Sequence, residues 1–133
     1  MPEIKIFSDG ACRGNPGPAG CGYVIYADGQ EIATGVKYIG TATNNIAEYT
    51  ALLEAANDPI LKEYGQFDFY LDSELVVKQM KGEYKLKNAG LIPIKLEIDK
   101  TLSGKKVTFN HVPRAQNKVA DMLANRAIDE HTK

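Results

Sequence analysis

Three strand-like segments stand at the start of the chain, and they limit the folds that are open to it. Residues 3–9, 20–28 and 31–39 are rich in β-branched and aromatic residues, as strands are. Asp28 and Gly29 separate the second segment from the third, and an Asp-Gly pair between apolar runs is a strong hairpin signal. The pattern predicts three strands joined as antiparallel neighbours.

The rest of the chain alternates between helical and strand patterns. Residues 41–58 carry apolar side chains at helical spacing, and Pro59 stops that helix. A strand predicted at 66–72 runs straight into a helix at 73–82, which Gly82 ends. After a loop at 83–90, the pattern predicts a helix at 91–103, a strand at 105–112, a turn at 113–116 and a helix at 117–131.

This order of elements predicts an α/β fold. Hairpin-linked strands pair antiparallel, and strands separated by helices pair parallel. The sequence β-β-β-α-β-α-α-β-α therefore indicates a mixed five-stranded sheet, with three antiparallel and two parallel strands, flanked by helices. In such sheets ligands gather at the C-terminal ends of the strands.

Composition sets the broad class. The 133 residues favour one domain spanning 1–133, and the net charge of −1 does not by itself indicate a nucleic-acid binder. The N-terminus lacks an apolar signal core and no run approaches transmembrane length, so we expect a cytoplasmic protein with no membrane association. Cys12 and Cys21 are expected to be reduced thiols in that compartment.

The stretch from Asp9 to Gly20, DGACRGNPGPAG, follows the first predicted strand. We expect that strand to end with the Asp9 carboxylate at its tip and a loop rich in glycine and proline to follow. A plain turn is the simpler alternative, because Asp-Gly is a common turn dipeptide. Asp9-Gly10 differs from the hairpin pair Asp28-Gly29 in that no strand partner is predicted for ten residues.

Four carboxylates fall where they could meet at one edge of the sheet. Asp9 ends the first strand and Asp72 ends the fourth, while Glu48 and Asp121 lie near the starts of two helices. Four acids in one place would repel one another unless cations lay among them. Hard oxygen ligands select Mg²⁺ or Mn²⁺ over softer metals.

Each of the helix-associated acids also has a structural interpretation. Glu48 follows Asn45 by three residues, the spacing of a capping box. Asp72 could cap the helix that begins at Ser73. Asp121 could be a solvated helix position. The apolar face of that helix is expected to consist of Val119, Met122, Leu123 and Ala127.

Four motifs together resemble the type 1 ribonuclease H family, in the form that lacks a basic protrusion. They are DGACRGNPGPAG (9–20), TNNIAEYTALLEA (43–55), YLDSELVVKQ (70–79) and HVPRAQNKVADMLAN (111–125). The resemblance implies a ribonuclease H-like fold and endonucleolytic hydrolysis of the RNA strand of RNA/DNA hybrids. It also implies that Asp9, Glu48, Asp72 and Asp121 are the catalytic and metal-binding acids.

The chemistry implied by the resemblance uses two Mg²⁺ ions about 4 Å apart that clamp the scissile phosphate, with Mn²⁺ as a substitute. Asp9 would bridge both ions, one of which activates water while the other stabilises the leaving 3′ oxygen. The expected products carry 5′-phosphate and 3′-hydroxyl ends. Such a mechanism needs no covalent intermediate, in keeping with the lack of a serine or cysteine nucleophile motif.

The resemblance also makes His111 a catalytic candidate that assists proton transfer or product departure. The pKa of an ordinary imidazole, about 6.5, suits that task. Val107, Phe109 and His111 share one face of a predicted strand, so a packed, hydrogen-bonded histidine is the alternative. Arg114 is then the candidate for part of the phosphate handling.

Substrate contacts implied by the resemblance come from Asn15, Asn44 and Asn45 near the minor groove, with Thr43 on a DNA-strand phosphate. RNA differs from DNA there by its 2′-hydroxyls. Helix capping and turn formation are the alternative for the asparagines. Glu74 departs from the family, in which a neutral glutamine often stands, and an ionised carboxylate would repel phosphate.

Lysines cluster around residue 80 and would supply salt-dependent phosphate contacts. They are Lys78, Lys81, Lys85 and Lys87. The basic helix that many bacterial members insert here is missing, and ordinary solvation is the alternative role for the lysines. We expect a monomer that binds RNA/DNA hybrid. The competing functions are a catalytically weak nucleic-acid-binding module of the same fold and a different nuclease, such as a junction resolvase.

Overall fold

A computed structural model describes residues 2–131 of the chain. The strands are β1 (Ile4–Cys12), β2 (Gly17–Ala27), β3 (Gln30–Ala42), β4 (Gln66–Leu71) and β5 (Lys106–His111). The α-helices are α1 (Asn44–Ala56), α2 (Glu74–Met80), α3 (Ile92–Thr101) and α4 (Lys118–His131). Two short 3₁₀ helices lie at Pro59–Glu63 and Arg114–Gln116.

The strands form one mixed sheet in the order β3-β2-β1-β4-β5. The pairs β1–β2 and β2–β3 are antiparallel, and the pairs β1–β4 and β4–β5 are parallel. The predicted α/β architecture is therefore confirmed, including the adjacency of the first and fourth strands.

The first three strands are longer than predicted. β1 does not end at Asp9 but continues to Cys12, and β2 begins at Gly17, three residues before its predicted start. Gly10, Ala11 and Cys12 all pair with β2, so the expectation of a strand tip at Asp9 is wrong. The small side chains of this stretch obscured the strand, because β-propensity depends on side-chain size and branching. The 3₁₀ helix at Pro59–Glu63 was not predicted either.

Helices cover both faces of the sheet. α1 packs against β1 and α3 around the main apolar core, whose large members include Tyr49, Leu52, Phe69 and Ile98. α4 packs against β2 on the other face. Within residues 2–131, no helix is both long and apolar enough to cross a bilayer.

Two glycines let these helices approach the sheet closely. A Cβ on Gly10 would lie 2.2 Å from the main-chain carbon of Ala47 in α1. A Cβ on Gly22 would lie 2.4 Å from the main-chain nitrogen of Ala124 in α4. Gly22 is the cross-strand partner of Asp9, and successive strand residues alternate faces, so the two glycines face opposite sides. Both helices therefore approach the sheet closely beside Asp9.

Candidate active site

Asp9 lies within the β1–β2 ladder, with paired residues on either side of it. Its exposed fraction is only 4%. A buried carboxylate needs a hydrogen-bond partner or a cation, because desolvation opposes its charge. Pairing on both sides of Asp9 holds its backbone in place, whereas a residue at the tip of a strand would have pairing on one side only.

Asp72 follows the last residue of β4, on the strand that lies parallel to β1. The pairing of β1 with β4 includes Phe7 with Tyr70, two residues before Asp9 and Asp72 respectively. The same register, carried forward, sets the two carboxylates opposite each other. The hydroxyl of Ser73 caps α2 by accepting from Val76 N, so the capping role considered for Asp72 is wrong.

Glu48 lies in the second turn of α1, with an exposed fraction of 9%. Its Oε1 accepts a hydrogen bond from the main-chain amide of Gly10 at 2.9 Å. The N-cap of α1 is Thr43, whose side chain accepts from Ile46 N. Asn45 is therefore not the cap, and the capping-box interpretation of Glu48 is wrong.

Asp9, Glu48 and Asp72 each offer a carboxylate oxygen, and these three oxygens lie within 4.8 Å of one another. Burial, followed by the hydrogen bond and the charge of Glu48, raises the pKa of Asp9 to about 11. Burial also raises the pKa of Glu48, although hydrogen bonds from Asp9 and Gly10 act in the opposite direction. The cluster therefore resists full ionisation unless a cation joins it.

Asp121 lies in the first turn of α4 and is half-buried. A hydrogen bond with its side chain contributes to the raised pKa of Asp9, which places Asp121 beside the three-acid cluster. The side-chain amide of Asn125 donates to Asp121 Oδ1 at 3.3 Å and to its main-chain oxygen at 3.0 Å. Asp121 is thus hydrogen-bonded within the protein rather than a solvated helix position.

The apolar face of α4 differs in part from the prediction. Leu123 and Ala127 are buried as expected, but Val119 and Met122 are 39% and 58% exposed. The buried positions are Ala120, Leu123, Ala124, Ala127 and Ile128. The face that packs on β2 is therefore rotated toward small residues, which the close approach at Gly22 requires.

His111 is the last residue of β5 and is exposed. It pairs with Leu71, the residue before Asp72. Its charge interaction with Glu74 also places it near the start of α2. The alternative of a packed histidine is therefore wrong, because Val107 and Phe109 contact the core while His111 does not.

Arg114 is exposed at the start of the 3₁₀ turn before α4. Its positive charge favours the ionised form of Glu48, opposing the rise in the pKa of that carboxyl. A guanidinium in this place can partly offset the negative charge of the acids and still face solvent.

The predicted substrate-contacting residues gather at the start of α1. Asn15 Oδ1 accepts from the main-chain amide of Asn44 at 3.0 Å, which fastens the β1–β2 loop to the helix. Asn44 and Asn45 are exposed, and Thr43 is half-buried. The peptide bond between Asn15 and Pro16 is cis.

The same loop is also fastened to α4. Arg13 Nη1 lies 2.6 Å from Asp129 Oδ1, and Arg13 Nη2 lies 3.4 Å from Asn125 Oδ1. Because Asn125 also donates to Asp121, side-chain contacts run from the loop to an acid of the site.

The lysines around residue 80 divide into two kinds. Lys78 is paired with Glu74 at 2.8 Å, and Lys81 lies 3.6 Å from Glu83. Lys85 and Lys87 are exposed and form no ion pair within the part of the chain that the structure describes. The hydrogen bond with Lys78 lowers the pKa of Glu74, so this acid is held as an anion.

Asn117 is a residue of the site for which the sequence predicted no functional role. The side-chain amide of Asn117 donates to Ser8 O at 2.9 Å and to Asp72 Oδ2 at 3.2 Å. Its exposed fraction is 1%. The available signal was its position, four residues before the candidate acid Asp121 on a helix. That position could not reveal its contacts, because they join segments more than 40 residues apart.

Comparison with known proteins finds similar chains. The family model described as "Reverse transcriptase-like" matches residues 7–127. The bifunctional protein Rv2228c of Mycobacterium tuberculosis is 39% identical over 130 residues, which are 96% of this chain. The chain spans 36% of the length of that relative.

Two further proteins match along nearly their whole length. Ribonuclease H of Albidiferax ferrireducens is 35% identical over 147 residues, covering 97% of this chain and 96% of the relative. The crystal structure of LC11-RNase H1 from compost, in complex with an RNA/DNA hybrid, is similar with a TM-score of 0.92 and 38% identity. That match covers 98% of this chain and 100% of the other. The chain therefore belongs to the ribonuclease H family.

Proposed function

We propose that this chain hydrolyses the RNA strand of RNA/DNA hybrids endonucleolytically, leaving 5′-phosphate and 3′-hydroxyl ends. The observation that carries the proposal is the meeting of Asp9, Glu48 and Asp72 oxygens within 4.8 Å, with Asp121 beside them. Membership of the ribonuclease H family supports it, as does the similarity to LC11-RNase H1, a protein solved with such a hybrid.

The acids fit a hard divalent cation. Within residues 2–131, Glu48 Oε2 is buried without a hydrogen-bond partner, and burial, followed by the hydrogen bond and the charge of Glu48, raises the pKa of Asp9. An all-oxygen set suits Mg²⁺, with Mn²⁺ as a substitute, and two ions would be held by Asp9, Glu48, Asp72 and Asp121. When bound, Mg²⁺ supplies Lewis acidity, which makes a water nucleophilic and stabilises charge on the leaving oxygen.

The polar residues at the start of α1 would recognise the hybrid. Because Asn15 Oδ1 is already bonded to Asn44 N, the amide group of Asn15 is oriented and can donate through Nδ2. The hydroxyl of Thr43 accepts from Ile46 N and keeps its proton to donate to a phosphate oxygen. Asn44 and Asn45 are exposed and would reach 2′-hydroxyls, which distinguish RNA from DNA.

Two exposed residues complete the proposed machinery. The His111 imidazole lies beside the residues that lead into Asp72, where it can carry a proton to or from the reacting oxygens. Arg114 would hold phosphate near Glu48, whose ionised form it already favours.

The test uses labelled RNA/DNA, RNA/RNA and DNA/DNA duplexes, each incubated with Mg²⁺ or with EDTA. We expect cleavage only of the RNA strand in the hybrid, and only with Mg²⁺. Binding of the hybrid without cleavage would support the binding-module alternative instead. Cleavage of DNA/DNA substrates would indicate a different nuclease on this fold.

We also propose that the chain acts as a single domain and a monomer in the cytoplasm. All the acids and the proposed hybrid contacts come from one chain, so the site needs no partner subunit. Sedimentation with and without a short hybrid measures the oligomeric state, and a dimer that forms before hybrid is added would contradict this part.

A further inference from the structure

Asn117 is a buried amide placed between two strands and a helix. It precedes α4, and its Nδ2 donates to Ser8 O on β1 at 2.9 Å and to Asp72 Oδ2 at 3.2 Å. Both partners are acceptors. The carbonyl oxygen of Ser8 can only accept, and so can the carboxylate of Asp72 when it is ionised. The amide orientation is therefore fixed by chemistry, because the opposite orientation would set Oδ1 against two acceptors.

The contact with Asp72 restrains one oxygen of that carboxylate. Within residues 2–131, no other side-chain donor bonds to Asp72, and the main-chain amides of α2 are capped by the Ser73 hydroxyl instead. Asp72 in turn offers an oxygen to the cluster with Asp9 and Glu48. The hydrogen bond comes from a neutral amide, so it adds no charge to the cluster, and among the described residues the second oxygen of Asp72 has no competing donor.

The main chain of Asn117 acts on a second acid. Its carbonyl oxygen accepts from the amide of Asp121 at 3.1 Å, which starts the helical turn that carries that carboxylate. One residue therefore holds Asp72 through its side chain and Asp121 through its backbone. Ser8, the other partner of the amide, directly precedes Asp9 in β1.

Burial of Asn117 is not explained by stability alone. Its Oδ1 is buried without a hydrogen-bond partner among the described residues. Such an unsatisfied polar atom costs about 1–3 kcal/mol. An apolar side chain of the same size would avoid that cost, but it could not hold Asp72. Outer partners that orient metal ligands are worth about 10- to 100-fold in metal affinity or activity.

We propose that Asn117 is a positioning residue, which orients Asp72 and the start of α4 so that the acids bind divalent cation in a productive arrangement. The inference rests on the proposed function, since it concerns the same acids. It assigns no contact with the hybrid to Asn117, so hybrid binding should not depend on it.

The test compares Asn117→Ala and the isosteric Asn117→Asp with wild type. Asn110→Ala is the matched control, because Asn110 Nδ2 also donates to a main-chain oxygen, Phe69 O at 3.1 Å, and to Thr108 Oγ1 at 2.9 Å. Mg²⁺ affinity is measured without substrate by calorimetry, Mn²⁺ affinity by electron paramagnetic resonance, and kcat and KM on a labelled hybrid, all well below each melting temperature.

We expect both Asn117 variants to lose about 10- to 100-fold in metal affinity and in kcat, with KM for the hybrid little changed. Asn110→Ala should lose stability without losing metal affinity. Asn117 variants that bind metal and turn over like wild type would overturn the inference. If Asn117→Ala does not fold, the same measurements on Asn117→Asp test the inference. That variant keeps the volume of the side chain but lacks the neutral amide that donates to Asp72.

Measurements on the wild-type protein distinguish a failure of the proposed function from a failure of the role of Asn117. Wild type that binds no metal and cuts no hybrid would overturn the proposed function and this inference together. Wild type that does both, alongside an Asn117→Ala variant of equal metal affinity, would overturn only the role of Asn117.

Discussion

The main-chain amide of Gly10 donates to Glu48 Oε1 at 2.9 Å, and the same residue lacks the Cβ that would collide with α1. A Cβ at residue 10 would lie 2.2 Å from the carbonyl carbon of Ala47 and 2.4 Å from Glu48 N. The absence of a side chain at Gly10 is thus what allows the helix to bring Glu48 beside Asp9.

Gly10→Ala should therefore impair both stability and activity. The helix must move away from β1, at a cost of about 1–3 kcal/mol or more, and Glu48 moves with it. Thermal unfolding and hybrid cleavage measure the two effects. Gly65→Ala is the control, because a Cβ at Gly65 meets nothing within 4 Å. A Gly10→Ala protein of wild-type stability and activity would contradict this account of the packing.

The raised pKa of Asp9 predicts an unusual dependence of stability on pH. Burial and the neighbouring Glu48 raise the pKa from 3.8 to about 11, so between these limits the folded protein holds a proton that the unfolded chain has lost. The metal-free protein should therefore become less stable as pH rises from 5 to 9, with Asp9 contributing at most about 1.4 kcal/mol per pH unit. Denaturation in EDTA measures this slope.

Two comparisons check that the slope belongs to Asp9. Mg²⁺ should flatten it, because the cation replaces the proton. Asp9→Asn should also flatten the slope while keeping the fold. It should reduce hybrid cleavage by more than about 100-fold, because loss of a metal ligand should cost more than loss of a residue that only orients one, which costs up to about 100-fold. A steep slope that persists in Asp9→Asn, or substantial residual cleavage, would count against Asp9 as the central ligand.

His111→Ala should reduce turnover by on the order of 100-fold while leaving stability and Mg²⁺ dependence unchanged. The reason is that the imidazole is exposed and contributes nothing to the core, yet lies next to the strand end that leads into Asp72. The measurement is kcat at several Mg²⁺ concentrations together with a melting curve. Unchanged kcat would assign the proton transfer to another group, and a lowered melting temperature would restore a packing role.

Glu74→Gln should strengthen hybrid binding modestly. The change removes an anion next to the site and frees Lys78, to which Glu74 is bonded at 2.8 Å. Because this ion pair is exposed and therefore weak, we expect KM to fall by only roughly 1.5- to 5-fold and its salt dependence to steepen. Glu130→Gln, which breaks the equivalent pair with Arg126, is the control and should change neither.

The sequence was sufficient to predict the sheet topology because hairpin and crossover signals are local. Asp28-Gly29 indicates the hairpin, and helices between strands indicate the parallel pairs. The positions of the acids, after strands and near the starts of helices, also predicted that they would meet, and Asp9, Glu48 and Asp72 do lie together.

What could not be predicted depends on contacts between distant parts of the chain. The continuation of β1 to Cys12 is set by pairing with β2 across small residues, which carry weak strand signals. The bonds of Asn117 to Ser8 and Asp72 leave no trace in local spacing. Exposure of His111 likewise follows from how β5 ends at the edge of the sheet, not from the alternation along it.

The contacts of Arg13 join the loop before β2 to the last helix. Arg13 bonds to Asp129 and Asn125, and Asn125 bonds to Asp121, while Asn15 in the same loop is fastened to α1. A displacement of this loop therefore pulls on both helices that carry acids of the site. The loop whose Asn15 is proposed to contact the hybrid is thus mechanically linked to the geometry of the carboxylates, so an ill-fitting duplex would disturb the acids as well as lose contacts.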